Sequence, residues 1–313
     1  MKKCTFLFIL CAISLTSIAQ TSTSWKQVNT EETTDCDIRS IFMLDQNLGY
    51  FTSASSICNT PGTFKTIDGD AWNMFNNISY IEQMFVFSEN LLYFCSNNKI
   101  IKYDNGIYTT KQYEETSFRN ICFSSDNVGW CFGNGSLYNG MLYKTTDAGN
   151  SWTNLNISLG QYGGGLYATD DNNVWIGGQQ KIMYSSNGGT TWVDQILPIP
   201  ENREVQDIQM LDQNTGYAVG RFNGVLKTTN GGTTWILKEV PDIPGVTNFK
   251  LHKVFFISET EGYVVGRHGY IAKTTDGGET WIQQNSGTDK ELFSVFFLNS
   301  STGWIGGADG FLA

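Results

Sequence analysis

The sequence predicts an all-β fold: a β-propeller of seven four-stranded antiparallel blades, the last closed by an N-terminal strand. Three observations carry this. The phrase Thr274-Thr275-Asp276-Gly277-Gly278-Glu279-Thr280-Trp281 recurs with small changes at residues 228–235, 185–192 and 145–152, and in shortened form at 66–72. An aromatic opens a strand once per repeat, at Tyr50, Tyr93, Trp130, Trp175, Tyr217, Tyr263 and Trp304, at intervals of 43, 37, 45, 42, 46 and 41 residues. Eight residues ahead of the position preceding each aromatic stands an apolar anchor: Ile41, Met84, Ile121, Leu166, Ile208, Val254 or Val295.

The chain opens as a secretory leader. Lys2 and Lys3 precede an apolar run, and Ser17-Ile18-Ala19 offers a small-x-small cleavage site. Residues 1–19 are therefore expected to be a cleaved signal peptide and residues 20–313 a single propeller domain, secreted or periplasmic. No later segment reaches the ~18 apolar residues of a membrane-spanning helix. Next comes Ser24-Trp25-Lys26-Gln27, which matches Thr280-Trp281-Ile282-Gln283 and reads as a fourth strand lacking its first three.

Each repeat then supplies strand A, a polar turn, strand B, strand C, the Trp phrase and strand D. In the sixth these are residues 251–257, 262–266, 270–274 and 281–284, runs rich in Val, Ile, Phe and Tyr broken by Gly and Asn. The seventh repeat offers strands A and B and the start of C. Gly310-Phe311-Leu312-Ala313 aligns with Gly269-Tyr270-Ile271-Ala272, so a Lys-Thr-Thr-Asp continuation is expected after Ala313. That blade reads as truncated in this chain.

Composition narrows the function. The net charge is −10, and loss of Lys2 and Lys3 makes the mature chain more acidic, which argues against a nucleic-acid partner. Five of the seven cysteines lie beyond the leader. Cys36 and Cys58 fall on one blade and one face, where a disulfide can form; Cys95, Cys122 and Cys131 sit in strands, as small buried hydrophobes.

The Trp phrase reads as structural. Asp or Asn caps its own turn, the glycines supply positive φ, and the indole fills the seam between neighbouring sheets. This applies to Asp68 and Trp72, Asp147 and Trp152, Asn187 and Trp192, Asn230 and Trp235, and Asp276 and Trp281. Calcium is not expected there, because the alternating oxygen ligands are missing. The second repeat lacks the phrase, offering Lys102-Tyr103-Asp104-Asn105-Gly106.

The phrase resembles the Asp box, or bacterial neuraminidase repeat. Its coupling to Gly-Tyr-x-Val-Gly-Arg, as in residues 262–267, resembles the photosystem II stability/assembly factor-like propellers and their secreted bacterial branch. The resemblance spans roughly residues 25–313. It implies a protein-binding, non-catalytic scaffold with an arginine-rich patch on one face, carried over here to Arg221 and Arg267 alone.

The register places D–A and B–C loops on the face opposite the boxes, where loops on a rigid scaffold carry function. Arg39 and Arg119 open strand A in repeats one and three; Arg221 and Arg267 share a B–C position; Arg203, His252, Lys253 and His268 join them. Guanidinium forks suit carboxylate or phosphate groups, so an acidic protein partner is expected there, bound by a monomer without metal or cofactor. The alternative is a carbohydrate-binding or glycoside-hydrolysing propeller, with Tyr138 and Tyr162 as sugar platforms. Sialidases use an Arg-Ile-Pro element, however, and Arg39-Ser40-Ile41 has no proline; xyloglucanase-like enzymes pair two propellers.

Overall fold

The structure of the protein, a computed structural model, describes residues 25–28, 36–54, 58–114, 116–135, 140–157, 159, 163–246 and 249–313. The leader, Tyr138 and Tyr162 lie outside the described residues. Strands account for all regular structure among them.

Six sheets have four antiparallel strands in simple sequential order. The sixth comprises Leu251–Phe256, Gly262–Gly266, Ile271–Thr274 and Ile282–Gln284, within one residue of the expected strands. Burial explains the sequence pattern. Strand B, Gly-Tyr-Val-Val-Gly, is buried on both faces between neighbouring sheets, so it is apolar without alternation. Strand D lies at the circumference and is mostly exposed.

Seven hydrophobic clusters each join one sheet to the next. The fifth–sixth seam holds Tyr217, Phe256 and Trp281, and the last returns to the start, packing Trp304 and Leu312 against Ile41 and Phe51. Burial in these seams, rather than within any one sheet, is what holds the ring.

The blade count departs from expectation. Six blades are complete, but the seventh sheet has two strands, Leu292–Asn299 and Thr302–Gly307. The next segment meets the second strand at an isolated Gly306–Leu312 bridge, where Ile305 and Ala313 exchange backbone hydrogen bonds at 2.9 and 3.1 Å and Gly307 N–H donates to the Phe311 carbonyl at 2.9 Å; Val28 N–H donates to the Leu312 carbonyl at 2.8 Å. With three residues after the turn, no regular third strand forms.

Within a box, Thr274 Oγ1 donates to Asp276 Oδ1 and accepts from Gly278 N–H at 2.9 Å, while Asp276 Oδ1 accepts from Thr280 N–H at 2.9 Å. Asp147, Asn187 and Asn230 cap their turns in the same way. Gly278 sits at φ 80°, and a Cβ there would meet the Tyr217 ring at 2.9 Å. Glycine is needed for both reasons. Trp72, Trp152, Trp235 and Trp281 are buried in seams, and Trp192 packs half-buried against the third–fourth cluster. The second blade replaces the box with a tight Asp104-Asn105-Gly106-Ile107 turn, Asn105 at φ 48° and Gly106 at φ 90°, as a type I′ hairpin requires. Its outer strand, Ile107–Gln112, consequently pairs along its whole length.

Cys36 and Cys58 form a disulfide, tying the start of the first strand A to its B–C connection. Cys95 and Cys131 are buried; Cys122 is half-buried against the central channel.

Candidate functional site at the channel mouth

One backbone device builds the mouth. In the first sheet, the register between strands A and B slips between Ile38 and Ser40, leaving Arg39 without an opposite residue. The same β-bulge leaves out Glu82, Arg119, Gln206, His252 and Phe293 in the second, third, fifth, sixth and seventh sheets. An unpaired bulge residue is turned away from the sheet. Gly164 holds the equivalent place in the fourth repeat, two residues ahead of its anchor. All seven line a single cavity of about 320 Å³ at the mouth of the channel.

Of the residues singled out from the sequence, Arg39, Arg119, His252 and Lys253 line this cavity. Arg267 reaches it indirectly through Glu291. Arg203 and Arg221 are half-buried and His268 is exposed, all outside it. Arg221 N–H donates to the Glu204 carbonyl at 3.0 Å, as Arg267 N–H does to Lys250.

The mouth is a ring of paired charges rather than a cationic patch. Arg39 Nη2 donates to Asp37 at 2.7 Å, and its guanidinium lies 4.2 Å over the Phe293 ring. Lys253 Nζ donates to Asp207 Oδ1 at 2.9 Å, while Val254 N–H occupies the other oxygen at 3.1 Å. His252 Nε2 and Arg267 Nε both meet Glu291 Oε1, at 2.5 and 3.1 Å. Arg119 lies 3.5 Å from Glu82 with 47 % of its side chain exposed, and Lys250 lies 4.0 Å from Glu204.

Burial sets the protonation states. Desolvation pushes the Asp207 carboxyl up, and Lys253 pulls it part of the way back. Desolvation also lowers His252 below its ordinary value, against the pull of Glu291. Glu291 drops to about 2, chiefly through the His252 hydrogen bond, with Arg267 adding to it. We read the pair as a neutral imidazole donating to a carboxylate that Arg267 keeps ionised. Lys250, near Glu204, is lowered by its own burial.

Sequence reasoning did not single out Glu82, Gln206, Asp207, Lys250, Glu291 or Phe293. The offset that aligns Arg39 with Arg119, read across all seven repeats, picks out Glu82, Gln206 and Phe293.

Residues 194–288 match the family model described as photosynthesis system II assembly factor YCF48, a stretch running from the outer strand of the fourth blade through the sixth. Over that stretch the chain resembles the photosystem II assembly factor-like propellers. YCF48 from Cyanidioschyzon merolae superposes with a TM-score of 0.68 at 16% identity, covering 92% of this chain and 97% of that one. YCF48 bound to D1 peptide gives 0.67 at 15%, with 93% and 97% covered. The extracellular domain of BT4673 from B. thetaiotaomicron gives 0.67 at 13%, covering 92% of this chain and 39% of that protein. At these identities the likeness is one of fold. No curated protein matches the sequence.

Proposed function

We propose that this propeller is a secreted or periplasmic scaffold, without catalysis of its own, that docks another protein over the channel mouth. The observation that carries the reading is the bulge at six strand-A starts, which turns one side chain per blade into a shared cavity. A propeller of the same fold is known bound to D1 peptide, which supports a protein as the ligand class. The leader-like residues 1–19 support export. The paired charges define how docking works. A partner carboxylate replaces Glu82 on Arg119, and its own cation takes the released acid, so recognition depends on matched charge order more than on net attraction.

The non-catalytic reading draws support from the state of the mouth carboxylates: Asp207 is committed to Lys253 and Val254, and Glu291 to His252 and Arg267. We further propose that residues 311–313 and 25–28 act as the third and fourth strands of a seventh blade, and that the chain is a monomer.

The test is purification of the partner from the native envelope fraction, followed by titration against the Arg39→Glu/Arg119→Glu variant. Binding is expected to weaken at least about tenfold, in line with the worth of desolvated charge pairs. An unchanged dissociation constant for a folded variant contradicts the reading.

A further inference from the structure

We propose that a groove between the first and second blades, separate from the mouth, binds a neutral oligosaccharide, with the rings of Tyr80 and Tyr108 as stacking platforms. The groove measures about 480 Å³, within the range of small-molecule sites, ~300–1,000 Å³. Its walls come from the D–A connection of the first blade and the B–C turn of the second, locked by Ser96 Oγ donating to the Ser79 carbonyl at 2.7 Å.

Three features point to a sugar. Tyr80 sits at φ 60°, a left-handed conformation costly for a bulky residue. The residue is 44% exposed and its side chain makes no hydrogen bond or ring contact among the described residues. Glycine or asparagine would hold the turn with less strain, so the ring answers to something other than folding. Tyr108, 42% exposed, is mounted rigidly: ring contacts at 5.4, 5.0 and 5.0 Å run from buried Tyr50 through Phe75 and Tyr103 to Tyr108. A ring fixed in advance loses little entropy when a ligand stacks on it.

The third feature is the polar lining. The side-chain amides of Asn77, Asn97 and Asn98 make no hydrogen bond among the described residues, and all three line the groove. Each amide offers donor and acceptor together, the pattern that vicinal hydroxyls match. Lys99 is the sole charged side chain there, in contrast to the paired charges of the mouth, so amides and rings rather than charge pairs dominate the groove. Flat apolar ring faces flanked by amides suit a pyranose, whose C–H face is apolar and whose edge is hydroxylated.

Calorimetric titration of the full chain tests this, with cellohexaose and xyloglucan heptasaccharide in one arm and a desialylated N-glycan in the other. Saturable binding is expected in at least one arm, and the responding arm separates a plant-wall from a glycoprotein source. Tyr108→Ala is expected to weaken it at least about tenfold. Tyr80→Gly should weaken it similarly while the melting temperature holds or rises, which separates ligand loss from misfolding. Arg39→Glu/Arg119→Glu should leave sugar binding intact, so failure here is distinct from failure of the mouth. No binding in either arm at about 10 mM sugar, a concentration that detects millimolar affinity, overturns the proposal. So does affinity indifferent to both tyrosine variants, or binding that survives Tyr80→Gly as a peptide added along Ile107–Gln112 would.

Discussion

The Tyr217 hydroxyl donates to the carbonyl of Gly277 at 2.8 Å, across the seam from the fifth blade to the sixth. Gly277 is the fourth residue of its box. Ala148 and Gly231 hold the same place and accept from Tyr93 and Trp175 of the preceding blades, at 2.8 and 3.3 Å. Gly188 accepts from Lys144 at 2.7 Å. The box therefore does more than turn a hairpin: it presents one carbonyl to the neighbouring blade. Where the second repeat has no box, Tyr50 reaches Glu89 instead.

Removing this contact has graded consequences. Tyr217→Phe leaves the ring stacked on Phe256 at 3.6 Å and is expected to cost about 1 kcal/mol. Gly278→Ala adds a methyl against the same ring at positive φ and is expected to cost about 2 kcal/mol. Trp281→Ala empties the seam and is expected to cost ~3–5 kcal/mol. Urea denaturation of the three variants checks the order.

The Asp207–Lys253 pair joins the fifth and sixth blades with Asp207 almost fully buried. Lys253→Met strands that carboxylate and is expected to destabilise by ~3–5 kcal/mol. Asp207→Leu/Lys253→Met should recover most of the loss, because desolvation of both charges disappears together. A double-mutant cycle in denaturant measures this coupling.

The disulfide closes a loop with a sequence separation of 22. Cys36→Ser/Cys58→Ser is expected to lose about 3 kcal/mol, chiefly by releasing the unfolded chain. Mild reduction of the native protein should lower its melting temperature comparably, while the double variant should not respond.

Stability should fall towards acid. Glu291 and Asp147 each sit at about 2, below their ordinary 4.5 and 3.8; the His252 hydrogen bond holds down the first, and Ser151 the second. Carboxyls lowered on folding contribute stability above their unfolded values and lose it as pH falls towards 2. His252 is lowered by burial from its ordinary 6.5, so the unfolded chain gains the proton first, and stability also declines below about that pH. His252→Gln is expected to flatten the upper part of a urea-midpoint profile against pH and to shrink the Glu291 share of the acid limb, leaving the Asp147 share.

The sequence made the ring legible because each repeat carries an aromatic, preceded by Gly in five of the seven, at a fixed offset from an apolar anchor. It made the boxes legible because Asp276 acts on its own neighbours. The mouth was less readable. Arg39 and Arg119 stand out by type, but Asp37 stands two residues before Arg39 while Glu82 comes from the blade next to Arg119, and pairing across blades leaves no local signature. The bulges were invisible for the same reason, since a register slip exists only between two strands. The seventh repeat reads as only the beginning of a third strand, and there a single Gly306–Leu312 bridge stands where the other sheets have a full strand.

Hydrogen exchange of the native chain, alone and with its envelope partner bound, tests the mouth as the recognition surface most directly. Slowed exchange is expected at residues 37–40, 81–83, 117–120, 251–254 and 292–294, with the box turns at 145–152, 228–235 and 274–281 unchanged. Protection at those box turns, with the strand-A starts exchanging as freely as before, would contradict it.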